Sequence, residues 1–411
     1  MIASGYFIPG RLARTVPSEG GLRHEVRRPD APPTAARRFF VKQGMIRRAC
    51  MAAIGLGALA IPATATTGSA PGPVETTAST APAPATTGPA YDRNPSVVQD
   101  DNTTWMFFAR SEEVPCNRLD GCNADNTTYD LYYQQSTDGG ATWAAPVKLA
   151  DNDDVPLLVS PVFYGRTVAA TKTADGTISV FWASGGNSST LVHLEKPPSS
   201  ATWTTTYLTD EHYFNVEAVA KGNTVYAYVE LCCTQEGGVY VRTLENGTFS
   251  ALTPVALGMS IPKAIVDAAG VVRLTMVETA TGDFSDYVAS SADGIAFSSP
   301  TIAAPNAEPG AAGNWDPTLV QTVDGVYHLY YAPGPFSGEN QRIEKVTSTD
   351  FVTWSAPTPV TAPANYWDYW PEAASINGDL RLFYTSEAAT SPGDAIGTGH
   401  IWTINSEVVP S

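Results

Sequence analysis

The chain has 411 residues, and 41 Asp/Glu against 24 Lys/Arg give a formal charge of −17. Residues 1–65 hold 10 of the basic and 3 of the acidic side chains, so residues 66–411 carry a net −24; this argues against a nucleic-acid or anionic-membrane partner, since phosphate binding needs clustered Lys/Arg. With 34 Gly, 32 Pro and 16% charged residues, collagen, coiled coil and bulk disorder fit poorly, and the length suits two domains or one large all-β unit.

Residues 51–61 form a short apolar run, preceded by Arg47-Arg48 and followed by Ala63-Thr64-Ala65. A positive flank, a short apolar centre and a small-x-small site read as an export signal over residues 1–65, too short to span a bilayer. Ala36-Arg37-Arg38-Phe39-Phe40-Val41-Lys42 resembles a twin-arginine motif; the alternative is a true start at Met45 and Sec export. Of the 25 residues in 66–90, 23 are Thr, Ala, Pro, Gly or Ser, a composition that cannot bury enough apolar surface to order itself. The sequence thus predicts a disordered linker over 66–90, a folded body over 91–411 and no transmembrane anchor.

Within the body one pattern recurs: a Pro or small residue opening a short apolar strand, a Gly/Asn/Asp turn, then an aromatic-rich strand. Its copies open at Pro95, Thr167, Val216, Pro262, Pro317 and Pro371, spaced 72, 49, 46, 55 and 54 residues apart. No helical period is evident. A repeat of about 40–50 residues built from short strands signals a β-propeller. The expectation is all-β, with six four-stranded blades whose inner strands start at the repeated Pro; five blades would make the last copy an accessory hairpin.

Ser136-Thr-Asp138-Gly-Gly140-Ala-Thr-Trp143 matches the S-x-D-x-G-x-T-W Asp-box (BNR) hairpin found between outer strands of sialidase-type blades. Ser291-Ala-Asp293-Gly294-Ile-Ala-Phe297 and Ser348-Thr-Asp350-Phe-Val-Thr-Trp354 are degraded copies. Asp and Ser side chains bond turn amides and Gly supplies positive φ, so these are structural devices on the outer rim.

Residues flanking the repeated Pro should face the propeller axis: Asp92, Arg93, Asn94, Ser96, Arg166, Asn215, Glu217, Lys263, Trp315, Asp316, Tyr369, Trp370 and Glu372. Carboxylates, cations and aromatics converging on one mouth suit a sugar site, where cleavage needs a proton donor, a nucleophile or base, and flat apolar faces. Tyr91-Asp92-Arg93-Asn94-Pro95 resembles the Phe-Arg-Ile-Pro motif of the sialidase (neuraminidase) superfamily. That resemblance implies a carboxylate-binding role for Arg93, a substrate contact for Arg110 and an acid/base aspartate in the loop after it, where Asp120 is preferred over Asp125 and Asp130. It further implies Glu217 as activator of a nucleophilic Tyr369, and Arg342 as a remaining triad arginine. The sequence departs from the family at Val229-Glu230-Leu231, where another triad arginine would lie. Asp316-Pro317 and Ser348-x-Asp350-x-x-x-Trp354 also look like motifs of five-bladed arabinanase, xylosidase and invertase families. Those enzymes place carboxylates at inner-strand starts, a role open to Asp92, Glu217, Asp316 or Glu372, with Tyr366, Trp367 and Trp370 stacking on the sugar.

Cys116 with Cys122 and Cys232 with Cys233 are favoured as two local disulfides, although four cysteines allow three pairings. The histidines show no metal-ligand spacing, and no metal or other cofactor is expected. Together these readings predict an exported, monomeric propeller that hydrolyses glycosidic bonds in a glycan or polysaccharide, or else a non-catalytic, lectin-like propeller held at the cell surface by the Thr/Ala/Pro linker.

Overall fold

The computed structural model describes residues 81–111, 128–156, 165–183, 190–231, 237–306, 313–334, 341–361, 367–388 and 399–405. It contains six antiparallel sheets. A short strand β1 (Ala83–Pro84) precedes the first sheet, which holds β2 (Tyr91–Asp100), β3 (Thr103–Ser111), β4 (Asp130–Ser136) and β5 (Val147–Ala150). The second holds β6 (Thr167–Lys172), β7 (Ile178–Ala183), β8 (Leu191–Lys196) and β9 (Thr204–Leu208). The third comprises β10 (Tyr213–Lys221), β11 (Thr224–Leu231), β12 (Gly238–Glu245), the two-residue β13 (Thr248–Phe249) and β14 (Thr253–Leu257). Then follow β15 (Met259–Val266), β16 (Val272–Glu278), β17 (Asp286–Ser291) and β18 (Thr301–Ala304), and after them β19 (Gly313–Gln321), β20 (Tyr327–Gly334), β21 (Glu344–Ser348) and β22 (Thr358–Pro359). The last sheet contains β23 (Asp368–Ile376), β24 (Asp379–Ser386) and β25 (His400–Asn405).

The opening strands of the six sheets touch in a closed cycle: β2 meets β6, β6 meets β10, and so on through β15, β19 and β23 back to β2. This is a six-bladed β-propeller, and each sequence repeat supplies one blade. The last copy is a full blade, not an accessory hairpin. Its outermost strand is β1, which pairs with β25 (Ala83 opposite Thr403, Pro84 opposite Trp402). Ala85 and Thr86 continue the attachment through backbone N–H groups donated to Ile401, and the Thr86 hydroxyl accepts the Ile401 N–H. The ordered body therefore begins before Tyr91: a stretch too polar to form a core of its own gains order by completing a sheet already made.

The inner strands also begin earlier than the repeated Pro. In β2 the Pro lies mid-strand, at a register break between Arg93 and Ser96. Equivalent breaks separate Tyr213 from Val216, Ser260 from Lys263, Trp315 from Thr318 and Tyr369 from Glu372. In four of the five the residue before Pro has positive φ: Asn94 (51°), Ile261 (50°), Asp316 (52°) and Trp370 (47°). A bulge inserts an extra residue and re-aims side chains, and Pro is tolerated there because the local ladder bond is already lost. The recurrent Pro thus marks, in the four blades that carry it, the place where side chains turn toward the axis.

Between blades the cores are aromatic and aliphatic, as where Trp105 and Phe107 of β3 pack with Trp182 of β7. The three Ser-x-Asp turns share one geometry. Ser136, Ser291 and Ser348 donate to Asp138, Asp293 and Asp350 at 2.7, 2.8 and 3.0 Å, and each serine oxygen accepts a turn amide from Gly140, Gly294 or Phe351. Gly140 and Gly294 have φ of 84° and 76°; Phe351 adopts 60° in the same place. Its ring, packed on Tyr327 and Trp354, offsets a conformation that L-residues normally avoid.

Candidate functional site at the propeller axis

A cavity of about 290 Å³ opens on the axis, and every blade contributes to it. Arg93 comes from the first blade, Arg166 and Thr167 from the second, and Phe214 and Asn215 from the third. Ser260 and Ile261 belong to the fourth, Trp315 and Asp316 to the fifth, and Trp370 to the sixth. In five blades the bulges explain this convergence, since the lining residues sit at or just before the register break; in the second, Arg166 and Thr167 stand at the start of an unbroken β6.

The chemistry centres on three contiguous side chains. The Arg93 guanidinium carbon lies over the Trp370 ring, 3.3 Å from the centroid, and the guanidinium approaches the Tyr129 hydroxyl at 3.5 Å. Such stacking on an indole contributes about 1–2 kcal/mol when desolvated. Trp370 in turn hydrogen-bonds Asp316 through its indole and backbone N–H groups. Burial pushes the Asp316 carboxyl up to about 7, against the opposing pull of Arg93, those Trp370 bonds and Lys263. A carboxyl poised near neutrality can hold a proton and surrender it, which is what general acid catalysis demands. Trp315 is fixed by its indole N–H donating to Gly334 O at 3.1 Å and by packing on Phe284.

Below the cavity, at the waist of the axis, Lys263 Nζ bridges Glu217 (3.0 Å) and Glu372 (3.1 Å). Burial drives Glu217 up to about 7 even though Lys263 favours its charged form, with Glu372 adding to the rise; the two carboxylates hold the Lys263 ammonium more firmly protonated than an ordinary lysine. These three side chains also line a second chamber of about 340 Å³, walled by the later parts of the inner strands. Glu217, Lys263 and Glu372 therefore meet at the axis as a mutually neutralising cluster, with Lys263 engaged by carboxylates where substrate contact was expected.

Other expected site residues lie elsewhere. Asp92 is fully buried and takes a bidentate pair from Arg110 (2.6 and 2.9 Å), its direct partner across β2 and β3. Burial raises the Asp92 carboxyl and Arg110 opposes the rise; the pair ties two strands of the first blade together. Tyr369 is 3% exposed, its hydroxyl bonded to Tyr91 and to Glu387 (3.0 Å), while its neighbour Trp370 forms the cavity wall. Trp367 packs edge-on toward Tyr369 at 6.5 Å and is not among the cavity-lining residues. Arg342 pairs with Glu344 (2.6 Å) beside β21 in the fifth blade, also away from the lining. Asp130 pairs with Lys148 at 2.6 Å. Asp120, Asp125, Tyr366 and all four body cysteines lie outside the described residues. Phe214, Ser260 and Ile261 were missed by the sequence reading; their position two or one before Val216 or Pro262 was the available signal.

No family model matches the sequence, and no curated protein matches it. Solved structures do. A protein of unknown function from Dyadobacter fermentans DSM 18053 superposes with a TM-score of 0.55 at 16% identity, over 77% of this chain and 94% of that one. The Hadza microbial sialidase Hz136 gives 0.53 at 16% identity, over 76% and 65%. Trypanosoma rangeli sialidase in complex with sialic acid gives 0.53 at 11% identity, over 77% and 54%. The fold is the sialidase-type propeller. This sialidase-type body spans about two thirds and about half of those two sialidases' lengths.

The departure at Glu230 now has a place. Its Oε2 accepts Asn215 Nδ2 at 2.6 Å and the Ile261 backbone N–H at 3.0 Å. Among the described residues no metal-binding cluster of His, Cys, Asp or Glu occurs, and no helix is long and apolar enough to cross a membrane.

Proposed function

We propose that this protein is an exported glycoside hydrolase that binds a terminal sugar of a glycan or polysaccharide in the upper axial cavity, with Asp316 as its proton donor. The observation that carries the reading is a carboxyl held near neutrality within a cavity walled by Trp315, Trp370 and Phe214 and flanked by Arg93 and Arg166. Aromatic faces suit the apolar face of a pyranose or furanose ring, and guanidinium forks suit its oxygens. In its protonated form Asp316 gives its proton to the glycosidic oxygen as the bond to the anomeric carbon breaks. Water supplies the new oxygen at that carbon, and a second group takes the proton water loses. The sialidase resemblance places an acid/base aspartate in the loop holding Asp120; in the present reading Asp316 takes the acid part and that loop is left the base part. The signal over residues 1–65 and the Thr/Ala/Pro linker support action outside the cytoplasm.

A second reading, a carbohydrate-binding propeller without turnover, is favoured by a different observation. Among the described residues Asp316 is the single carboxylate lining the upper cavity, with Glu217 and Glu372 tied to Lys263 below it and Tyr369 held by Glu387. Purified protein tested on aryl sialosides, arabinosides, xylosides, galactosides and on fructan separates the two. Release of the aryl group or of sugar, lost in Asp316→Asn while sugar binding persists, is the expected result. Binding without release from any substrate establishes the second reading, and neither binding nor release refutes both.

A further inference from the structure

Glu230 is half-buried behind the wall of the upper cavity, and one of its oxygens serves two neighbours that both line that wall. The first is Asn215, whose Nδ2 lies 2.6 Å away. The second is the backbone N–H of Ile261, a residue at φ 50° in the bulge of the adjacent blade. An ionised carboxylate only accepts hydrogen bonds, whereas a side-chain amide has one donating end and one accepting end. Pairing with Glu230 therefore removes the ambiguity of the Asn215 amide: its nitrogen must face the carboxylate, and its oxygen must face the other way. Asn215 borders both the main cavity and the small recess beneath it that Asp316, Trp370 and Lys263 also border.

We propose that Glu230 is a positioning residue that locks Asn215 so that its Oδ1 faces the cavity as an acceptor, selecting ligands that bring a hydroxyl or amide N–H to this wall and rejecting those that bring an anionic oxygen. The cavity is thereby polarised. Negative groups of a ligand are restricted to the side of Arg93 and Arg166, and donors are required at the third blade. The Ile261 bond adds a geometric element, because the same carboxylate fixes the strained bulge that brings the fourth blade's wall up to the third. The selectivity rests on the sugar-binding reading above; the amide lock does not.

The test uses the full folded propeller, with Asn side chains labelled with ¹⁵N and the Asn215 amide pair identified by its loss in Asn215→Ala. In the native protein one Asn215 amide proton should be shifted downfield and protected from solvent exchange. In Glu230→Gln, whose amide can donate as well as accept, that protection should fall at least about tenfold, the equivalent of one net hydrogen bond. The same signal is then followed during titration with galactose, N-acetylgalactosamine, xylose, arabinose and their O-methyl derivatives. Methylating the hydroxyl that meets Asn215 should weaken binding about tenfold in the native protein and much less in Glu230→Gln. An Asn215 amide that exchanges equally fast in both proteins overturns the lock. A lock that holds while methylation at every position weakens both proteins alike overturns the selectivity. If the lock holds and no sugar binds, the selectivity falls together with the glycan reading of the cavity, while the positioning role of Glu230 stands.

Discussion

Asp316→Asn should change the pH dependence of folding in a direction fixed by one carboxyl. Asp316 is pushed from the usual 3.8 up to about 7. Between those values the folded chain keeps a proton that the unfolded chain has released, so stability falls as pH rises through this window and levels off above it. Three pH units correspond to about 4 kcal/mol at most, of which about 2.7 kcal/mol lies between pH 5 and pH 8. Asp316 is only half-buried by surface exposure, so solvent screening reduces that component to about 1.3 kcal/mol as a lower bound. The amide that replaces the carboxyl carries no such proton. The variant should therefore lose less stability than the native protein on going from pH 5 to pH 8, by about 1.3–2.7 kcal/mol. Urea unfolding at the two pH values, followed by tryptophan fluorescence, measures this difference. The attraction of Arg93 for the ionised carboxyl is already contained in that titration, and Glu217, which titrates in the same window, contributes to both proteins. Equal pH dependence in the two, within about 0.5 kcal/mol, would show that the cavity does not hold Asp316 protonated and would remove the basis for its role as proton donor.

Three further outcomes follow from the same structure. Lys263→Met leaves Glu217 and Glu372 facing each other without their shared cation, and should lower stability by about 3–5 kcal/mol at pH 8 and by less at pH 5, where Glu217 is protonated; thermal unfolding at both pH values checks this. Removing residues 1–80 should leave the unfolding midpoint unchanged, whereas removing residues 1–88 deletes β1 and the Thr86 bonds and should cost about 2–4 kcal/mol in urea titrations. Gly165→Ala should destabilise by about 2–4 kcal/mol, because φ is +63° and a methyl group would lie 2.5 Å from both the Trp182 ring and the Tyr129 carbonyl; calorimetry measures it, and an unchanged midpoint would mean the second blade's approach to the axis is loosely packed.

Blade number and blade order were legible in the sequence because the inner strands recur with similar apolar openings, four of the six carrying a bulge with Pro in it. Convergence of Arg93, Trp315, Asp316 and Trp370 followed from the same device. The sequence could not show which of two adjacent residues faces the axis, since a bulge inverts the alternation that strand periodicity relies on. Asp92 and Tyr369 were misplaced for that reason: each sits one residue before an axis-facing side chain and is paired sideways within its blade, with Arg110 and with Tyr91 and Glu387. Lys263 was correctly brought to the axis, but its carboxylate partners come from blades 46 residues before it and 109 after it, a pairing no local pattern displays. The contribution of Ala83–Pro84 was hidden by composition. Two residues in a Thr/Ala/Pro stretch carry no strand signal, and they pair only because β25 presents an open edge.

That closing strand sets an order of events. Until His400–Asn405 has been synthesised, Ala83–Pro84 has no partner, so the growing chain cannot seal its ring before that strand is available. Five blades can form one after another from local hairpins, but the sixth is a handshake between the two extremities of the body and must come last. A nascent chain cut short anywhere before β25 would be left with an unsealed sheet edge open to pairing with other chains, which makes the final segment the step on which soluble assembly depends.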